Sequence, residues 1–124
     1  MKKRILVVDD EASLTRMIKR GLEAKGEYQV QEENSGERAL VAARDFKPDL
    51  VLLDVMMPEC DGGSIAADFE EADDLKHIPI VFLTAIVTRE ETDPCGTRIG
   101  RHTFLAKPVD LDDLVTCIKD HIGP

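Results

Sequence analysis

Four short apolar runs in this chain each stop at a charged or hydroxyl side chain. Ile5 to Val8 runs into Asp9-Asp10, Leu50 to Leu53 into Asp54, Ile80 to Leu83 into Thr84, and Thr103 to Ala106 into Lys107-Pro108. If these runs are neighbouring parallel strands, three carboxylates, one hydroxyl and one ammonium meet at one edge of a sheet. That edge, outside the carboxyl ends of the strands, is where open α/β sheets bind ligands. Three close carboxylates repel one another, and some must take up protons unless a cation intervenes. Mg²⁺ suits such a set, because it prefers oxygen ligands and is commonly held by one or two carboxylates, waters and a phosphate. Asp10 and Asp54 are expected as direct ligands and Asp9 through water. The main-chain carbonyl of Met56, just past the strand end, would complete the protein's share. Each residue alone has a plainer explanation: Asp-Asp caps a helix, a strand-end Asp makes a turn, Thr favours strands and Lys is solvated. Those explanations do not account for all of them standing at four strand ends.

The elements that must position these groups are legible as alternating patterns. The continuous apolar runs are those of strands buried on both faces, and 28–30 and 103–106 are weaker strand candidates. Between them, Leu14, Met17, Ile18 and Leu22 recur at helical spacing, with Gly26 as a stop. Ala39, Leu40 and Ala43 follow Asn34, which with Glu37 has the form of a capping box. Ile65, Ala66 and Phe69 make a third stripe. Leu111, Leu114, Val115, Ile118 and Ile122 make a fourth, opened by Asp110 and closed by Gly123. Strand and helix alternate five times, which predicts a parallel sheet covered on both faces. Residues 87–101 resist the pattern: Pro94 and Gly96 are poor in a helix interior, so a helix there should be short, late or broken.

Composition sets the outer bounds. The chain has 124 residues and a net charge of −9, from 25 acidic and 16 basic residues. One domain over 1–124 with one core is expected. The acidic excess argues against direct nucleic-acid binding and against anionic membrane surfaces. Three cysteines, Cys60, Cys95 and Cys117, form no CxxC pair and leave an odd number, so neither a disulfide framework nor a zinc site is indicated. With no secretory h-region and no membrane-length apolar stretch, a cytoplasmic location is expected.

Taken in order, the strings ILVVDDE at 5–11, PDLVLLDVMMP at 48–58, Asp61-Gly62, PIVFLTA at 79–85 and FLAKP at 104–108 closely resemble the receiver domain of two-component response regulators. The resemblance covers essentially the whole chain. It implies a doubly wound, flavodoxin-like (βα)5 sandwich with a five-stranded parallel sheet in the order 2-1-3-4-5. It implies that Asp54 accepts a phosphoryl group from a histidine kinase or phosphotransfer protein. Asp9 and Asp10 would form the Mg²⁺ pocket, and Thr84 and Lys107 would contact the phosphoryl group. Ala85, small enough to leave that group room, and Pro108, joined to Lys107 by a cis peptide, would belong to the phosphoryl pocket, and Phe104 would be the aromatic switch. An output domain or downstream protein would read the result.

Two departures stand out against that family. The Asp93-Pro94-Cys95-Gly96 stretch falls where a fourth helix normally continues, which predicts a distorted helix. The same helix, with the last strand and last helix, is the family's frequent homodimer face. Met56 and Ile86 flank the acceptor, and neither can orient an attacking water by hydrogen bonding, so slow self-dephosphorylation is expected. Three other activities compete. A dehalogenase-like phosphatase would need a second Asp where Met56 stands. A flavodoxin would need a phosphate loop where Asp9-Asp10-Glu11 stands. A phosphorylation-independent interaction module on the same fold would not need the acidic triad or Lys107.

Overall fold

Parallel strands buried on both faces need helices on both sides, and the chain divides its apolar residues accordingly. In a computed structural model, residues 2–55, 62–84, 97–99, 102–107 and 109–123 are described. The strands are β1 (Lys3–Val8), β2 (Tyr28–Glu33), β3 (Leu50–Asp54), β4 (Ile80–Thr84), β5 (Thr97–Ile99) and β6 (His102–Ala106). The helices are α1 (Ala12–Ala24), α2 (Ala39–Phe46), α3 (Gly62–Glu71) and α4 (Leu111–Ile122). The sheet order is β2-β1-β3-β4-β6-β5. The first five strands of that order run parallel, which is the expected 2-1-3-4-5 arrangement.

Alternation along the strands sends side chains to two cores. Ile5, Val7, Leu50, Leu52, Val81, Leu83 and Leu105 pack with Ile18 and Leu22 of α1 and Leu114, Cys117 and Ile118 of α4. Leu6, Val8, Val51, Leu53 and Phe82 pack with Ala39, Ala42 and Ala43 of α2 and Ile65, Ala66 and Phe69 of α3. Burying each Leu or Ile contributes about 1.5–3 kcal/mol. The four residues Ile5 to Val8 are fully buried, so this part of β1 has no solvent face.

The helix stops follow from local chemistry. Asp110 caps α4, its carboxylate accepting from the main-chain N–H groups of Asp112 and Asp113. Gly26 and Gly123 both lie at φ 82°, a left-handed conformation that favours glycine. Lys47 takes a left-handed φ of 55° after α2, and Pro48 follows, which cannot continue the helix. Gly21 lets α4 approach α1 closely, since a Cβ there would stand 2.8 Å from Leu111 Cδ2.

Two local expectations are corrected. Met17 is 50% exposed. It sits one residue, about 100°, away from the Leu14–Ile18–Leu22 stripe, and buried Thr15 completes that face instead. Asn34 is not part of a capping box, because a 3₁₀ turn over Gly36–Arg38 precedes α2. Its amide is used on the other side of the β2 end, against Asp9 and Thr15. The break in helical pattern over 87–101 is matched at its end, where residues 97–99 are extended. They add a short antiparallel strand to the edge of the sheet, with Ile99 opposite His102. The core of the expected distortion, 87–96, lies outside the described residues.

Candidate functional site

Parallel pairing brings the strand ends level. Leu53 pairs with Val8, Leu83 with Asp54, and Ala106 with Thr84. Asp9 therefore follows directly on β1, Asp54 and Thr84 close β3 and β4, and Lys107 follows β6. Main-chain bonds fix the two flanks: Val55 N–H donates to Leu83 at 3.1 Å and Lys107 N–H to Thr84 at 2.8 Å.

Asp9 is fully buried, Asp54 and Thr84 nearly so, and Asp10 is exposed. One carboxylate oxygen from each of Asp9, Asp10 and Asp54 lies within 4.8 Å of the others. The Lys107 ammonium reaches into this group, 2.8 Å from Asp9 Oδ2 and 3.2 Å from Asp54 Oδ1. The aspartates are not spent on capping α1, whose cap residue is Glu11 and receives no side-chain cap. Asp9 Oδ1 accepts from Glu11 N–H at 2.9 Å. Its Oδ2 is buried, touched by the Lys107 charge but accepting no aligned hydrogen bond among the described residues. Three carboxylates against one ammonium leave a negative excess, and a buried oxygen has capacity to spare. That donor set fits a hard divalent cation.

The Lys107 ammonium is held above its ordinary pKa. Burial alone would lower it, and the contacts with Asp9 and Asp54 outweigh that effect. Tyr28 is also raised, by burial and by the nearby Glu27 charge. Both groups bind their proton more tightly in the folded chain. Their stabilisation is complete below their ordinary values of 10.0 and 10.5, and it is lost as pH rises through the raised folded values. Denaturant unfolding followed from about pH 8 to 11.5 should therefore lose stability above about pH 10. Lys107→Met should make that loss shallower; an equal slope in both proteins would disprove the assignment to Lys107.

Phe104 stands in register with Phe82, their rings stacked with centroids 5.0 Å apart and 21° between planes. Phe82 and Thr84 share a sheet face by alternation, so the half-buried Phe104 ring lies on the Thr84 side of the sheet. Met56, Ala85, Ile86 and Pro108 lie outside the described residues. Sequence reasoning missed the polar residues behind Asp9, namely Thr15, Glu32 and Asn34. Nothing in their spacing signalled them, and Asn34 carried the false sign of a cap.

Comparison with known proteins agrees with this geometry. A family model described as the response regulator receiver domain matches residues 5–119. The polar-differentiation response regulator DivK of Brucella anthropi is 28% identical over 99% of this chain and 98% of its own length. The probable transcriptional regulator ycf27 of Porphyra purpurea is 39% identical over 95% of this chain, which spans 46% of that longer relative. Among solved structures, the chemotaxis protein CheY4 of Vibrio cholerae superposes with a TM-score of 0.81 at 26% identity, covering 98% of this chain and 99% of that one. With the family model spanning nearly every residue from β1 to the last turns of α4, the chain belongs to the response regulator receiver domain family of two-component signal transduction.

Proposed function

We propose that this receiver accepts a phosphoryl group on Asp54 from a phosphohistidine of a sensor kinase or phosphotransfer protein. The observation that carries the proposal is the cluster itself: buried Asp54 and Asp9 bridged by one ammonium, with Asp10 beside them. An Asp54 carboxylate oxygen attacks phosphorus, the P–N bond breaks, and the histidine leaves as an acyl phosphate forms. Such transfer depends on positioning and charge neutralisation more than on covalent help. Asp9, Asp10 and Asp54 would hold Mg²⁺, with the Met56 carbonyl as a further donor. Bound there, the ion supplies charge neutralisation to the phosphoryl oxygens. Lys107 supplies a second positive charge to the same oxygens.

The new phosphoryl group adds charge and acceptor oxygens. Thr84 turns its hydroxyl toward them, and Phe104 moves into the space released beside Thr84. That exchange is a two-state element biased by a local charge event. Ala85 and Pro108 would belong to the phosphoryl pocket. The signal passes to an output domain or downstream protein of a cytoplasmic system, and a homodimer through the face carrying β6 and α4 is one form of that output. Direct contact with nucleic acid or membrane is no part of this role for an acidic domain. No described helix is long and apolar enough to cross a membrane.

The test is intact-mass analysis after incubation with acetyl phosphate. The proposal expects one phosphoryl group per chain with Mg²⁺ and none with EDTA. No addition from either acetyl phosphate or a phosphorylated kinase would move the chain to the phosphorylation-independent interaction reading. The acyl phosphate should also be long-lived, since Met56 cannot orient a water. Met56→Asn should shorten its half-life several-fold. A half-life of seconds, unchanged by that substitution, would sink the slow-hydrolysis expectation.

A further inference from the structure

We infer that Asn34 and Thr15 are positioning residues for the divalent-cation site, acting through the peptide that joins Asp9 to Asp10. This inference rests on the proposed function, because it concerns the metal affinity of that same site.

Asp9 is held through its main chain on both sides. Its N–H donates to the Glu33 carbonyl at 3.1 Å. Its carbonyl accepts from Asn34 Nδ2 at 2.8 Å. That carbonyl belongs to the Asp9–Asp10 peptide, whose plane is set by ψ of Asp9 and φ of Asp10. Fixing it fixes the relative aim of the two carboxylates. The second N–H of the same amide donates to Thr15 Oγ1 at 3.0 Å. Thr15 is fully buried and has one proton to give. Glu32 Oε1 lies at 2.9 Å and the Ala12 carbonyl at 3.1 Å. The carboxylate is the stronger acceptor, so the chain of donation ends on Glu32.

The result is a continuous relay. Asn34 donates in two directions, to Asp9 and to Thr15, and Thr15 donates on to Glu32. Hydrogen bonds in such chains strengthen one another. The relay joins the end of β2, the first turn of α1 and the turn carrying the two acids, three segments brought together only by the fold. Core packing gives no reason for a hydroxyl at the fully buried position of Thr15, where an apolar side chain would fill the same space. Groups behind a metal site that orient its ligands typically change affinity about 10–100-fold when removed.

The experiment titrates Mg²⁺ calorimetrically into the wild-type chain and into Asn34→Ala, Thr15→Val and Thr15→Ser, and melts each protein in EDTA. Asn34→Ala and Thr15→Val should weaken Mg²⁺ binding by about 10–100-fold. Thr15→Ser, which keeps the hydroxyl, should bind as wild type. If Asn34→Ala and Thr15→Val melt lower in EDTA yet bind Mg²⁺ with the wild-type Kd, the relay is merely structural and the inference is overturned. Should Thr15→Val not fold, Asn34→Ala decides alone, since its side chain lies at the surface. A wild-type chain that takes up no Mg²⁺ would instead bring down the site reading, and the inference with it.

Discussion

Asp54→Asn should abolish phosphoryl uptake from acetyl phosphate while leaving the chain folded. The acceptor oxygen must be an ionised carboxylate, and the amide has the same shape without the nucleophile. Nothing else in the cluster substitutes for it. Asp9 is fully buried with Oδ1 engaged by Glu11 N–H and Oδ2 against Lys107, and Asp10 is exposed to water. The variant should be no less stable than wild type without divalent cation. It removes one of three carboxylates whose oxygens lie within 4.8 Å of one another, and like charges at that range oppose folding. Intact mass and a thermal melt in EDTA check both halves. An added phosphoryl group on the variant would move the acceptor to another side chain, and a collapsed melting transition would show that the Asp54 charge holds the fold.

Lys107→Met should have the largest effect on stability at the site. The Lys107 side chain is 20% exposed, whereas those of Asp9 and Asp54 are 0% and 6% exposed. Removing the ammonium leaves two buried carboxylates facing each other without a counter-charge. Breaking a buried ion pair costs about 3–5 kcal/mol; partial exposure of the lysine screens this, so about 1–3 kcal/mol is expected. The loss should appear in EDTA and shrink with Mg²⁺, because a cation bound only to the folded chain adds about 2.7 kcal/mol at 100 times its Kd. The same variant should bind Mg²⁺ more tightly than wild type, since the competing positive charge is gone. Equal melting points for variant and wild type in EDTA would refute the claim that Lys107 neutralises the acids. Unaltered Mg²⁺ affinity would refute the competition.

Much of the fold was legible because its inner strands are buried on both faces. Ile5 to Val8 and Leu50 to Leu53 contain no polar residue, as a parallel strand covered on both faces requires. The Asp110 cap and the Gly26 and Gly123 stops were equally plain, since they rest on contacts within a few residues. Met17 misled because periodicity alone does not say how wide the buried stripe is, and the neighbouring buried position went to polar Thr15. Thr97 to Ile99 could not be read as a strand because three residues carry no period. It is the antiparallel pairing with β6 that makes them a strand.

Which groups end the strands, and so which acids, hydroxyl and lysine meet at one edge, could be read from the order of residues. That information is local: each strand ends where its apolar run ends. How those groups pair depends on the fold. Lys107 bridges Asp9 and Asp54 across 98 and 53 positions of chain, a contact set by the order β1-β3-β4-β6 and by strand register. Only the fold could turn Asn34 from an apparent helix cap into a donor to Asp9. A side-chain amide serves whichever acceptor is within about 3 Å, and that is decided by how the end of β2 packs beside the first turn of α1, not by the residues on either side of it.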